Sequence, residues 1–296
     1  MRKDFDTALL IPIGSSQEKI YGISHLFEHI LISEIKNTGG FTTEDYIFLY
    51  GNNINFEKFL DALMKIEMDK INLKRQKDII KKEIERNKNA RNEKFFKKTW
   101  EKTIYEKSPL GTVKSVEKIN IKDLIYLKEE VLNLPLYFYN KRNKLNVING
   151  KIINRKSNGK FCILFNKNFS YEDILYKVIY FKNEIEKMFV VEKILQLKNP
   201  ERYIQISEKR EMNAFIMEKN CLFPDLCEII SLREKVLKNL KKEIYQIRQN
   251  FLEIALNELE SIYFYNIPWD ERIDRLFHVS NNDILELINE IRRGVK

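Results

Sequence analysis

The sequence predicts an α+β fold built as two successive layered units, each a mostly antiparallel sheet with helices packed on one face. Three observations carry this. Short apolar runs that end in turn residues are mixed with long stretches of helical period. The regular strand and helix alternation of a parallel sheet is missing. Turn residues also cluster at Asn149-Gly150 and Ser157-Asn158-Gly159, near the middle of the 296 residues. That cluster sets a boundary between residues 1–150 and residues 151–296, each long enough to bury its own core.

In the first unit, Thr7 to Ile13 is an apolar run closed by Gly14-Ser15-Ser16, the pattern of a buried strand and a turn. Gly22 to Leu31 suits a buried helix. Gly39-Gly40 breaks the chain, and Phe41 to Tyr50 has the aromatic content of a strand. From Asn55 to Met68, Phe56, Phe59, Leu60, Leu63, Met64 and Met68 repeat with a helical period. A second helix is expected from about Leu73 into the eighties or nineties. Ser108-Pro109-Leu110-Gly111 marks a loop, Ile121 to Asn133 a helix and Lys144 to Ile148 a strand.

The second unit repeats this grammar. Lys160 to Phe165 is expected as a strand, Tyr171 to Leu197 as a long helical stretch and Asn213 to Met217 as a strand. Ser231 to Tyr263 and Asn282 to Arg292 are expected as helices.

Composition narrows the function classes. No run approaches the length of apolar chain that spans a bilayer, and the opening residues lack a secretory signal, so a cytoplasmic protein without membrane attachment is expected. Cys162, Cys221 and Cys227 are odd in number and widely spaced, which points to inert thiols rather than a disulfide framework or a thiolate metal site. The formal charge is +9. From Lys74 to Lys102 there are twelve Lys or Arg against five Asp or Glu, so the excess is local. Such a wall suits an acidic peptide or phosphate. Phe95, Phe96 and Trp100 interleave with the charge at helix-core spacing and no recognition motif accompanies them, so nucleic acid is not the expected partner.

The sharpest signal is histidine. Two of the three histidines in the chain lie four residues apart in His25-Leu26-Phe27-Glu28-His29. On a helix, i and i+4 share a face, so both imidazoles can reach one metal ion with Glu28 beside them. A catalytic zinc takes three protein ligands and keeps one position open. The third is sought on the helix Arg75 to Ile84, where Glu83 falls on the side of Ile79 and Ile80; an inward carboxylate needs a partner.

These segments resemble the pitrilysin family of metallopeptidases, which includes insulysin and mitochondrial processing peptidase and uses the inverted motif H-x-x-E-H. The resemblance runs through Gly14 to Glu18, Gly22 to Leu31, Gly39-Gly40-Phe41 with Thr42 to Tyr46, Ile79 to Ile84 and Ser108 to Thr112. It is good over residues 7 to 150 and weaker beyond. It implies that His25, His29 and Glu83 bind Zn2+, that Glu28 is the general base, and that an extended peptide adds to the edge strand at Phe41, Thr42 and Thr43. Four departures accompany it. Fewer residues separate His29 from Glu83 than is usual, the acidic residue expected one heptad before Glu83 is Gln76, and the strand that normally precedes the Thr7 to Ile13 strand is missing, so a minimal sheet is expected. In the second half, Arg202 matches an arginine that assists the opposing zinc site, while the tyrosine position, thirteen residues on, is Phe215. A phenyl ring donates no hydrogen bond to an oxyanion. The resemblance therefore implies a zinc endopeptidase that works as the metal-bearing subunit of a heterodimer. A second homologous subunit would supply the arginine and tyrosine, and the substrate would be a peptide such as the leader of a ribosomally made precursor. The competing expectation is a non-catalytic peptide-binding or assembly subunit that keeps the metal for folding.

Overall fold

A computed structural model describes residues 5–35, 37–52, 56–65, 69–88, 90–142, 144–148 and 162–294. The proposed boundary turns at 149–150 and 157–159 lie outside the described residues. The chain divides into two compact units, Met1–Ile153 with Asn250–Tyr263, and Asn154–Gln249 with Phe264–Lys296. One helical segment, 250–263, thus returns to the first unit across the 1–150 and 151–296 division.

The first unit begins with β1 (Thr7–Ile11), α1 (Ile23–Glu34), β2 (Thr38–Thr42), β3 (Ile47–Gly51), α2 (Phe56–Lys65) and α3 (Lys70–Asn87). It continues with α4 (Arg91–Trp100), α5 (Val113–Lys118), α6 (Ile121–Leu132), β4 (Leu136–Asn140) and β5 (Lys144–Ile148). The five strands form one antiparallel sheet in the order β2-β3-β1-β4-β5, so β2 is an edge. Period-2 alternation decides what each face meets. Leu9, Ile11, Ile47, Leu49, Leu136 and Phe138 pack with Leu26, Phe27, Ile30 and Leu31 of α1 and with residues of α2, α3, α5 and α6.

The second unit contains β6 (Cys162–Tyr171), β7 (Ile174–Lys182), α7 (Ile185–Lys198), β8 (Ile204–Ser207), β9 (Asn213–Glu218) and α8 (Leu226–Ile247). After α9 (Phe251–Tyr265) come α10 (Trp269–Phe277) and α11 (Asn281–Gly294). Its antiparallel sheet has the order β6-β7-β9-β8. Ile179, Phe181, Phe215 and Met217 pack against α7, α8 and α11. The class is α+β, as expected from the sequence.

In the first unit a helix also covers the opposite sheet face, through Phe251–Tyr263 of α9. Tyr263 packs on Tyr137 at 5.6 Å between ring centroids and donates its hydroxyl to the Asp45 carbonyl at 3.1 Å. Phe251 meets Tyr139.

Three expectations are corrected. Gly39-Gly40 does not break the chain, because both residues lie inside β2, and a Cβ at Gly40 would come within 2.7 Å of the Phe48 carbonyl. The break falls at residues 43–46, where Thr43 N donates to Tyr46 O at 2.8 Å, so Phe41 to Tyr50 is a hairpin. The stretch Tyr171 to Leu197 is not one helix. Glu172 and Asp173 take positive φ of 48° and 62° in a two-residue turn with the right twist for a hairpin, and Ile174–Lys182 is a strand rich in β-branched and aromatic residues. Ser231 to Tyr263 divides at Arg248 to Asn250 into α8 and α9.

Candidate metal centre

The helix that carries the histidines starts without a side-chain cap of its own. Its N-cap, Gly22, sits at φ +86°, in the left-handed region that glycine enters without strain. Glu18 serves instead: its carboxylate accepts from Gly22 N at 2.6 Å and Ser24 N at 3.0 Å. A negative group at this end also suits the helix dipole. Burial nevertheless raises the Glu18 pKa, against the opposing effect of those two amides.

The Gly14-Ser15-Ser16 turn fixes the other approach. A Cβ on Gly14 would lie 2.5 Å from the Glu44 backbone, and Ser15 N and Ser16 N donate to the carbonyls of Thr43 and Glu44. The β2–β3 hairpin is therefore pinned beside α1.

Three donor groups converge. His25 Nε2 lies 3.5 Å, and His29 Nε2 3.4 Å, from the same Glu83 oxygen, Oε2. The two imidazole rings stand nearly edge-on, at 4.8 Å between centroids. These nitrogen to oxygen separations are too long for charge-assisted hydrogen bonds, which run to about 2.9 Å. Tetrahedral zinc with bonds of about 2.0–2.2 Å sets its ligand atoms roughly 3.3–3.5 Å apart. The three ligand atoms all lie within 4.8 Å of one another, so the donor set and spacing fit a zinc ion.

His25 is buried, and burial followed by the neighbouring His29 pushes its pKa down to about 3, with the Leu110 carbonyl opposing. At neutral pH that ring is uncharged and offers a lone pair. Its Nδ1 is buried without a hydrogen bond of normal geometry. The Leu110 carbonyl, which favours a proton on the ring, is the backbone group suited to orient a metal-bound imidazole.

Glu28 lies in the same helical turn and is buried at 4% exposure. The Thr42 hydroxyl donates to its Oε2 at 2.7 Å. Burial pushes the Glu28 pKa up to about 7; the Thr42 hydroxyl opposes this and the Glu83 charge adds to it. A cation nearby would pull it back toward the ionised form.

The remaining predicted residues fall elsewhere. Phe41 is half-exposed on the edge strand and stacks on Phe48 at 5.2 Å. The Thr43 hydroxyl is used within the turn, accepting from Asp45 N and Tyr46 N. Arg202 belongs to the second unit and donates to Glu218 Oε2 at 3.1 Å. Phe215 is fully buried in that unit's core, so any side chain at this position meets apolar packing. Thirteen residues beyond Arg202 is thus a packing position. Gln76, where an acid was expected, donates to Asn72, whose amide in turn donates to Ser33 and Glu34 of α1. An amide chain there ties α3 to α1 and with it places Glu83.

The sequence reading missed Glu18 as the helix cap and Thr42 as the group that orients Glu28. Glu18 stands four residues before the N-cap glycine, a signal that could have found it.

No protein-family model and no curated protein matches the chain. Solved structures do. One is described as an M16-like peptidase of Alicyclobacillus acidocaldarius, with TM-score 0.65 at 13% identity, covering 97% of this chain and 89% of that one. The fold is that of the M16-like peptidases. A protease of Helicobacter pylori gives TM-score 0.59 at 12% identity over 97% of this chain and 91% of that one. The third, a peptidase M16 inactive domain from Pseudomonas fluorescens, gives 0.61 at 11% over 97% and 89%. A fold shared by domains named as proteases and one named as inactive leaves activity to the site itself.

Proposed function

We propose that this chain is a zinc-dependent endopeptidase, with His25 Nε2, His29 Nε2 and Glu83 Oε2 holding the ion and Glu28 as general base. The convergence of both imidazoles on one carboxylate oxygen at 3.4–3.5 Å carries this reading. When bound, zinc lowers the pKa of a coordinated water to about 7 and polarises the scissile carbonyl. Glu28 takes the proton from the attacking water and returns it to the leaving amine. Thr42 holds the Glu28 carboxylate in one rotamer by donating to Oε2, which leaves Oε1 free for the proton. The edge of β2 offers backbone groups to an extended peptide, and Phe41 gives that strand an exposed apolar contact.

The wider role we propose is the metal-bearing subunit of a heterodimer that removes a leader from a precursor peptide. It is supported by the resemblance of residues 7–150 and by the engagement of Arg202 with Glu218, which leaves that guanidinium committed within its own unit.

Metal analysis of the purified chain is expected to find about one zinc per protein. Mass spectrometry of a peptide mixture incubated with the chain and its partner is expected to show cleavage that chelation abolishes. Glu28→Gln should retain the zinc and lose at least about a hundredfold in rate. A chain without stoichiometric zinc, or undiminished cleavage by Glu28→Gln, overturns the reading.

A further inference from the structure

Helix α3 carries Glu83 on the boundary between two faces. On the inner side are Gln76 and Ile80, both buried. On the outer side Ile71, Arg75, Ile79 and Glu83 succeed one another at four-residue intervals and form one ridge. Lys70, Lys74, Asp78 and Lys82 form the ridge next to it. An open groove of about 670 Å³ runs along these two ridges, lined by Lys70, Ile71, Lys74, Arg75, Asp78, Ile79 and Lys82.

Two features separate this strip from an ordinary solvated face. Ile71 is 82% exposed and Ile79 is at 36%, which leaves branched apolar side chains in water amid the charge. Among the described residues, no ion pair engages Lys70, Lys74, Arg75 or Lys82, whereas Asp78 is matched by Lys81 at 2.9 Å. With Asp78 set against Lys70, Lys74, Arg75 and Lys82, the strip presents a net positive charge interleaved with apolar surface, and it ends at Glu83, whose side chain remains 33% exposed.

The spacing along the helix matches an extended peptide. Four helical residues rise about 6 Å, and two extended residues span about 6.6 Å with their side chains on the same face. We propose that the outer strip of α3 binds an acidic, apolar-spaced segment of the peptide substrate. An aliphatic side chain about two residues from the scissile bond lies against Ile79, and acidic side chains about four and six residues away meet Arg75 with Lys74, and Lys70. The inference rests on the peptidase reading for the position of the scissile bond, but the strip's affinity for such a segment is measurable without metal or turnover.

The probe is a fluorescein-labelled peptide with Leu two residues, and Glu four and six residues, to either side of a central bond; its control replaces every Glu by Gln. Anisotropy of the full chain, with and without added zinc, should show the Glu peptide binding about tenfold more tightly at low ionic strength, the sum of a few exposed charge pairs. In Lys74→Gln/Arg75→Gln, at two exposed positions, the preference should fall to about twofold, as it should for the parent chain in 0.5 M salt. Equal binding of the two peptides overturns the inference, as does a preference that the double variant keeps. So does a single-stranded oligonucleotide of the same charge that binds more tightly than the Glu peptide, which would mark a phosphate surface. Cleavage without a Glu preference sinks the strip alone, and a Glu preference in a chain that neither holds zinc nor cleaves sinks the peptidase reading alone.

Discussion

Helices α1 and α7 occupy comparable places in their own units, each laid on an antiparallel sheet, yet they use buried polar groups in opposite ways. In α7 the buried carboxylate Glu192 closes on its surroundings, accepting from Ile206 N at 3.1 Å and Gln196 Nε2 at 3.2 Å. Its other buried positions are apolar, among them Met188, Val191, Ile194 and Leu195. In α1, His25 and His29 bring two imidazole nitrogens to 3.5 and 3.4 Å from Glu83 Oε2 of α3, beyond the length of a charge-assisted hydrogen bond, with Glu28 in the same helical turn. Satisfied polar groups stabilise a core, whereas donor atoms held together and left unspent create a binding site. One architecture thus closes its buried polar groups in one unit and gathers possible metal donors in the other.

The largest effect that would break this contrast is on metal. Glu83→Ala is expected to weaken zinc binding by roughly a thousandfold, about a third of the free energy of a three-ligand site, and Glu192→Ala to leave it unchanged. Isothermal titration with zinc measures both, and equal affinities for the two variants would erase the distinction between the helices. Next is packing. Phe215→Ala empties a fully buried position in the second unit and should cost about 3–5 kcal/mol in denaturant unfolding, with zinc per folded protein unaltered. A variant that folds normally but loses metal would give Phe215 a role the buried placement denies.

Thr42→Val is close in shape and removes only the hydroxyl that meets Glu28. A kcat about tenfold lower with KM and zinc content unchanged is expected, equivalent to one lost hydrogen bond to a charged group. A rise in KM alone would return Thr42 to the substrate-contact role expected from its place on the edge strand.

The smallest effect is electrostatic and belongs to the second unit. The Lys187 ammonium and the Ser280 hydroxyl hold the Asp283 carboxyl down at about 2. A depressed carboxylate stabilises the fold above its unfolded pKa of about 3.9, and that contribution fades as the pH falls toward 2. Asp283→Asn should therefore lower Tm slightly at pH 6 and flatten the acid limb of the stability curve. Parallel acid limbs for parent and variant would show the pairing to be energetically silent.

Much of the first unit was legible in the sequence because its signals are local. The strand at Thr7–Ile11 and the helix at Ile23–Glu34 follow from apolar period, and the i, i+4 histidine pair directed the search to Glu83, although its neighbour Ile79, expected on an inward face, is exposed. The errors have physical causes too. Gly39-Gly40 suggests a break in isolation, but close approach to Leu49 and Phe48 requires glycine inside β2. Ile174–Phe181 is apolar except for Lys177, and apolar character alone does not separate a doubly buried strand from a buried helix. The Glu172-Asp173 turn between β6 and β7 lacks glycine and so escaped notice. Burial of Phe215 in the core follows from strand pairing with Ile179 and Ile206, which spacing from Arg202 does not reveal.

The sequence by itself determined the α+β class, the local charge of α3 and the residue types able to hold a divalent metal, since periodicity and donor chemistry are properties of short segments. Only the tertiary structure decided that Glu83 meets both imidazoles at one oxygen, that Thr42 rather than a ligand holds Glu28, that Glu18 caps the histidine helix and that 250–263 returns to the first unit. Each of those depends on contacts between segments distant along the chain. Their closure is fixed by how the apolar faces of sheet and helices pack together, and no local stretch encodes that alone.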